Sequence, residues 1–467
     1  MLVKYRILMS LVIMILLGSF FLIDDYKEKI EQATISHQQL SLLDAIEFFS
    51  SAEGRLEALK LTGNQQAWRH LAQLYAKENG SIAYQLAKYY LNAEQELPAK
   101  LWFQEAIRHQ YQPARIALAK YYFNTQKYRE SERLLLPVLE NEAALILLYK
   151  LAIQQGDTAF ISRYKDKLAL IDNVDFYHEL NDFSIFTPVK NKVNKQCDID
   201  VQLFATNLAG LRHGEQLLSQ FQQHKLSAYV CLQYPKYISA QQVNCKEDVT
   251  ERISCDASVW GSRADISSRY IGLIVEHGGA NVDNGIMYID QQDNIDVLAH
   301  ELAHFVGFVD EYPLPSEHQK CHINQAIPFS HNVVTLNKHY KGKKTELRET
   351  ILAQIPWASL IKDSTPILTE VGQGWQLATP KGFENDVGVF SAHSCDKNAN
   401  VQAFKPYYQR TQLEYFELDF PQAYVDIMTL APKRFLMPSY HYNVSRDLAA
   451  QGQYNKAKAM LQATLFR

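Results

Sequence analysis

Residues 300–312 read His300-Glu301-Leu302-Ala303-His304-Phe305-Val306-Gly307-Phe308-Val309-Asp310-Glu311-Tyr312. On a helix, residues four apart lie about 40° apart on one face, one turn along. His300 and His304 can then grip one Zn²⁺. Zinc lowers the pKa of a water in its open position to about 7. Glu301, beside His300, is expected to take that water's proton as general base, and the hydroxide to attack a polarised peptide carbonyl. Gly307 follows three residues after His304, where a helix must end; glycine tolerates the positive φ that such a turn requires. Asp310, six after His304, is then expected to return as third metal ligand. Rival third ligands are Glu346, Glu349 and Glu370, on a second helix, but Gly307 with Asp310 explains the local pattern better. The contrary readings are a core helix with two satisfied histidines and a zinc site that is structural or inactive.

With Gly307 and Asp310 included, HExxHxxGxxD resembles the metzincin zinc signature, with aspartate in place of the usual third histidine, as in snapalysin-like bacterial enzymes. The Asp310-Glu311-Tyr312 tail more loosely resembles bacterial IgA-metallopeptidases. The resemblance implies a zinc metalloendopeptidase with Glu301 catalytic, His300, His304 and Asp310 on Zn²⁺, and a peptide or protein as substrate. It also implies an edge strand before the zinc helix that holds substrate extended through backbone hydrogen bonds. Gly278-Gly279-Ala280 and a strand over Gly285–Ile289 occupy that place. The family sets a methionine turn beneath the metal. Met428 and Met437 are the candidates, both more than a hundred residues past Asp310 and so farther along than in small metzincins. Tyr440 is either an oxyanion tyrosine or a core residue.

Around this motif the chain reads as alternating strands and helices. Strands are expected at Asp198–Ala205, Leu226–Leu232 and Tyr270–Val275, and helices at Leu208–His224 and Asp293–Phe308. Asp293 or Asn294 would cap the last of these. Glu346–Leu360 is expected to be helical. Before residue 173 the texture is helix after helix, with sparse Gly and Pro. Leu86-Ala87-Lys88-Tyr89-Tyr90 returns as Leu118-Ala119-Lys120-Tyr121-Tyr122, 32 residues on, which points to stacked helical hairpins. Ala99-Lys100-Leu101-Trp102-Phe103-Gln104-Glu105-Ala106-Ile107 resembles the Sel1/tetratricopeptide pattern. That likeness implies either a concave surface for a protein partner or a supporting bundle.

The expected architecture is therefore multidomain: an N-terminal α-helical repeat (α/α) domain followed by an α+β, metzincin-like zinc-peptidase domain. Its parts are a membrane anchor or signal at 1–23, Sel1/tetratricopeptide-like repeats at 24–172, a linker at 173–196 and the peptidase domain at 197–440. A helical tail at 441–467 is expected to dock back onto the N-terminal helices.

The 467 residues carry 47 basic against 51 acidic side chains and 47% hydrophobic residues. This excludes a disordered or multi-span chain and gives no basic excess for nucleic acid. Lys4 and Arg6 precede an uncharged run over Ile7–Ile23, and Asp24 and Asp25 follow. That order suits a single inner-membrane span with the rest in the periplasm, or a cleaved signal peptide. All six cysteines lie between Cys197 and Cys395, and an oxidising compartment would pair them with near neighbours, Cys321 with Cys395 among them. His277, His318, His322, His331, His339, His393 and His441 show no ligand spacing and are expected on the surface or in packing. No GxGxxG, Walker-type loop, GxSxG or CxxC is present. If the metal site is inactive or structural, the chain reads instead as a helical-repeat scaffold.

Overall fold

The computed structural model describes residues 52–465 apart from 62–64, 172, 190–198, 247, 249, 264, 316, 322–326 and 398–401. The expected anchor or signal at 1–23 lies outside the described residues. Among the described residues, no helix is long and apolar enough to cross a membrane. Two compact units divide between Leu151 and Ala152.

The first unit is helical: α1 (Ala52–Leu61), α2 (Gln65–Tyr75), α3 (Gly80–Asn92), α4 (Glu96–Arg108), α5 (Gln112–Asn124), α6 (Tyr128–Leu135) and most of α7 (Glu142–Gln155). Helices α3 to α6 start at Gly80, Glu96, Gln112 and Tyr128, every 16 residues. The turns between them repeat as well, with left-handed residues at Glu94, Gln110 and Gln126. Each turn closes a Schellman motif, as in Gln95 N–H to Tyr90 O at 2.9 Å and Lys127 N–H to Tyr122 O at 2.8 Å. The 32-residue return of the Leu-Ala-Lys-Tyr-Tyr segment is thus one helix–turn–helix pair. In both copies the Leu, the Ala and the second Tyr are buried (Leu86, Ala87, Tyr90; Leu118, Ala119, Tyr122). All but Ala119 share a core with Trp68, Leu71, Phe103 and Ala106.

The second unit opens with the end of α7 and with α8 (Thr158–Leu168) and α9 (Val174–Asp182). Two expectations change here. The stretch 173–196 is not a plain linker, because α9 occupies its first part. Asn173 caps that helix through Phe176 N–H, and Phe176, Leu180 and Phe183 are buried along one face. The helical domain also does not run on to 172 as a unit. From Ala152 the chain belongs to the sheet-bearing body, where Tyr237 Oη donates to Ile153 O at 2.9 Å.

A five-stranded sheet of β1 (Ile199–Ala205), β2 (Val230–Tyr237), β3 (Tyr270–Val275), β4 (Asn281–Asp283) and β5 (Ile286–Asp290) runs in the order β2-β1-β3-β5-β4. The first four strands in that order are parallel and β4 pairs antiparallel with β5. Strands β1, β3 and β5 are buried throughout, as parallel strands covered on both faces must be. The strand expected over Gly285–Ile289 is therefore internal, and the edge strand beside it is β4. Asn284 (φ +48°) and Gly285 (φ +85°) make the two-residue hairpin between them, the conformation that Asn-Gly favours.

Helix α10 (Leu208–Phe221) and helix α11 (Ile295–Phe305) belong to this body. Two small antiparallel sheets follow. One takes β6 (Val334–Leu336), β10 (Phe390–Ala392) and β11 (Gln402–Lys405); the other takes β7 (His339–Tyr340), β8 (Leu368–Val371) and β9 (Gly374–Leu377). Helix α12 spans Lys344–Leu352, shorter than expected, and α13 spans Gln422–Leu430. The C-terminal helices α14 (Tyr440–Ala450) and α15 (Tyr454–Leu465) do not form a separate tail. Val444, Leu448 and Ala457 enter the core of the second unit with Trp260, Ile271 and Tyr288.

Candidate metal centre

Helix α11 starts where Asn294 caps it, its side chain accepting from Asp296 and Val297 N–H. It ends in a Schellman motif, with Gly307 N–H to His304 O and Phe308 N–H to Ala303 O, both 3.1 Å. Gly307 sits at φ +92°. A Cβ there would lie 2.5 Å from both Cβ and O of Phe435. The turn sends residues 308–312 back along the helix.

This places Asp310 Oδ1 at 3.1 Å from His300 Nε2 and 3.2 Å from His304 Nε2. One ligand atom from each of the three residues lies within 4.8 Å of the others. The far nitrogens are committed elsewhere: His300 Nδ1 faces Gln412 O at 2.8 Å, and His304 Nδ1 faces Phe308 O at 3.1 Å. A carbonyl accepts only, so each Nδ1 carries the proton and each Nε2 turns a lone pair toward Asp310. Three electron-rich atoms converging in a buried place suit a cation between them, and the N,N,O donor set suits zinc. Glu346, Glu349 and Glu370 have no part in this cluster.

Without a metal, His304 and Asp310 favour each other's charged form. Burial disfavours the imidazolium of His304, yet Asp310 overrides it and raises that pKa to about 9. Burial likewise opposes charge on Asp310, but His304 and His300 hold its carboxyl well below the usual range. Glu301 is 7% exposed, and burial pushes its carboxyl up despite both imidazoles. A carboxylate whose affinity for a proton is raised in this way suits a general base. Its Oε2 lies 4.0 Å from His304 Nε2.

The next residue, Glu311, is fully buried and saturated. It accepts from Lys405 Nζ (2.8 Å), Thr411 Oγ1 (2.9 Å), Asn332 Nδ2 (2.9 Å) and the Tyr424 hydroxyl. Its own N–H donates to Leu413 O at 2.8 Å. Glu311 thus ties the Asp310 loop to the segment 411–413 whose Gln412 carbonyl orients His300. Asn332 adds a two-way clamp on Val309, and Ser394 Oγ donates to Asp310 O at 2.6 Å.

Compared with known protein families, curated proteins and solved structures, the chain matches none. What the site can do rests on its own geometry.

An open cavity of about 520 Å³ covers the cluster, lined by Glu301, His304 and Asp310 and by Asn281 and Val282 of β4. Met437 lines it too, and its N–H donates to Phe305 O at 3.1 Å. Met428 is instead buried on α13. Tyr440 is a core residue at the start of α14, its ring 3.9 Å from that of His441 and tilted by 31°. The tyrosine in the cavity is Tyr312, its ring parallel to His300 at 6.4 Å. Burial and the neighbouring Asp310 push its phenol pKa up, so it stays a donor. His318, expected on the surface or in packing, also lines the cavity.

Sequence reasoning missed Glu311, Asn332, Lys405, Gln412 and Tyr312 as parts of the site. Glu311 and Tyr312 stood in the motif, but Asn332, Lys405 at the end of β11 and Gln412 come from far along the chain, Gln412 from 112 residues past His300. Disulfides join Cys245 to Cys255 and Cys321 to Cys395, and Cys231 is also oxidised; Cys197 lies outside the described residues.

Proposed function

We propose that the second unit is a zinc-dependent metalloendopeptidase of metzincin type. The observation that carries this reading is the convergence of His300, His304 and Asp310 at the floor of an open cavity beside Glu301. Among the described residues no fourth ligand joins them. Structural zinc sites are closed by four protein ligands, whereas catalytic ones keep a place for water or substrate. Bound there, zinc supplies Lewis acidity toward a carbonyl and acidity to water.

The chain's own residues then divide the work. Glu301 accepts the proton of the attacking water and returns it to the leaving amine, so hydroxyl ends on the carbonyl carbon and hydrogen on nitrogen. Edge strand β4 offers its free side to an extended peptide. Tyr312, rather than Tyr440, supplies a hydroxyl to the developing oxyanion. Two disulfides support an exported domain, in keeping with a periplasmic protein held at the inner membrane by residues 1–23. The helical repeats offer a surface for a protein partner.

The test is metal content and hydrolysis of an unfolded protein substrate, for wild type, His304→Ala and Glu301→Ala. About one zinc per chain should be lost in His304→Ala, and Glu301→Ala should keep the zinc but not the hydrolysis. Hydrolysis retained in Glu301→Ala would overturn the mechanism. Absence of zinc from all three would return the chain to a repeat scaffold.

A further inference from the structure

The charge lining the cavity is lopsided. Its two carboxylates, Glu301 and Asp310, both belong to the reaction centre. Against them stand Arg252, Lys320 and Arg434, with His318 beside Lys320. Among the described residues, none of the three cations has a carboxylate within ion-pair distance. Lys320 is half-buried and lies over the Phe329 ring at 5.7 Å. Taking an ammonium out of water without a counter-charge is costly. Arg252 is exposed and lines the same cavity as Glu301, Tyr312 and His318.

The loops that carry Arg252 and Lys320 are pinned. The Cys245–Cys255 disulfide closes the loop that holds Arg252. That loop is braced on the approach to β4 by Gly279 N–H to Glu251 O (2.8 Å) and Ile253 N–H to Gly279 O (3.1 Å). Cys321, next to Lys320, is bonded to Cys395. A backbone fixed before a ligand arrives lowers the ordering cost of binding an anion, which is then mainly that of the two side chains. Zinc would add positive charge to the same cavity, and a neutral peptide would leave the half-buried Lys320 uncompensated, with the exposed Arg252 beside the same space.

We propose that this cavity selects peptides bearing a carboxylate beside the bond to be cut, received by Arg252 and Lys320. The inference rests on the peptidase reading for the cut itself, but recognition of the carboxylate can be measured without it.

Two matched pools of fluorogenic peptides serve as probes, one with Asp and Glu at the varied positions and one with Asn and Gln. Each is made with a free and with an amidated C-terminus. Binding is read on zinc-loaded Glu301→Gln protein, and hydrolysis on wild type. The acidic pool should bind and be cut at least about tenfold better than its amide pool. In Arg252→Gln/Lys320→Met that ratio should fall toward one. Zinc content and thermal unfolding of the double variant show that it is folded. A preference that follows the acidic residues assigns a side-chain carboxylate, and one that follows the free terminus assigns the terminal carboxylate. Equal cutting of both pools overturns the proposal and leaves the peptidase standing. Acid-selective binding with no cutting supports carboxylate recognition and removes the peptidase. Binding of neither pool overturns carboxylate recognition.

Discussion

The ammonium of Lys405 lies 2.8 Å from the carboxylate of Glu311, and both side chains are buried. Lys405 also reaches Gln409 O at 3.0 Å and Glu414 at 3.6 Å. Removing one partner of a buried pair strands the other charge. Lys405→Met leaves Glu311 with three neutral donors, so it should cost about 3–5 kcal/mol in urea unfolding. Because Glu311 braces both the Asp310 loop and the Gln412 carbonyl, zinc affinity should fall about 10–100-fold. Glu311→Gln should cost less, since Lys405 keeps Glu414. Equal unfolding midpoints for wild type and Lys405→Met would show that the network adds no net stability.

Helix α11, its cap and the Gly307 turn were legible because the signals are local: histidines four apart, a capping Asn and a glycine that ends the helix. The repeat was legible for a similar reason, since its period fixes both helix and turn. The edge strand was missed for its shortness. Three residues cannot show alternation, although Asn284-Gly285 marked the hairpin. Helix α9 was hidden by polar residues between Phe176, Leu180 and Phe183. What no sequence pattern could show is the meeting of Glu311 with Asn332, Lys405 and Tyr424, because only tertiary packing brings those residues together.

Gly307 carries two separable demands. Its φ of +92° costs an L-residue about 1–2 kcal/mol, and a Cβ would collide with the Phe435 backbone at 2.5 Å. Gly307→Ala should therefore lose about 2–5 kcal/mol. Gly452 is the control: its φ is +75°, with nothing within 4 Å of a Cβ, so Gly452→Ala should lose only about 1 kcal/mol. Equal losses in denaturant would mean that the Phe435 contact yields freely.

Asp293 precedes helix α11, and its Oδ2 accepts from Asp290 N–H at 2.7 Å. Burial raises its pKa to about 6. The folded state therefore holds this proton more tightly than the unfolded chain does. The stabilising contribution is complete below about pH 4, declines as pH rises and is gone above about pH 6. Asp293→Asn keeps an acceptor for Asp290 N–H without the charge. At pH 7 it should be more stable than wild type by about 1–2 kcal/mol, and that gain should shrink toward pH 4. A thermal-unfolding series from pH 4 to 8 reads this directly, and a gain that stays constant across the range would assign the effect to something other than titration.

The Cys321–Cys395 disulfide spans 74 residues of sequence and sits against the candidate metal loop. Ser394, beside Cys395, donates through Oγ to Asp310 O at 2.6 Å, and its own carbonyl accepts from Leu314 N–H at 2.9 Å. Closing so long a loop removes unfolded-chain entropy worth about 4 kcal/mol. Cys245–Cys255 spans only 10 residues and should contribute less. Cys321→Ser/Cys395→Ser should accordingly lose about 2–5 kcal/mol. It should also loosen zinc, because the Asp310 carbonyl would lose its fixed support. Cys245→Ser/Cys255→Ser should leave zinc content near wild type. If both double variants kept zinc equally under a competing chelator, Ser394 would hold Asp310 without help from the disulfide.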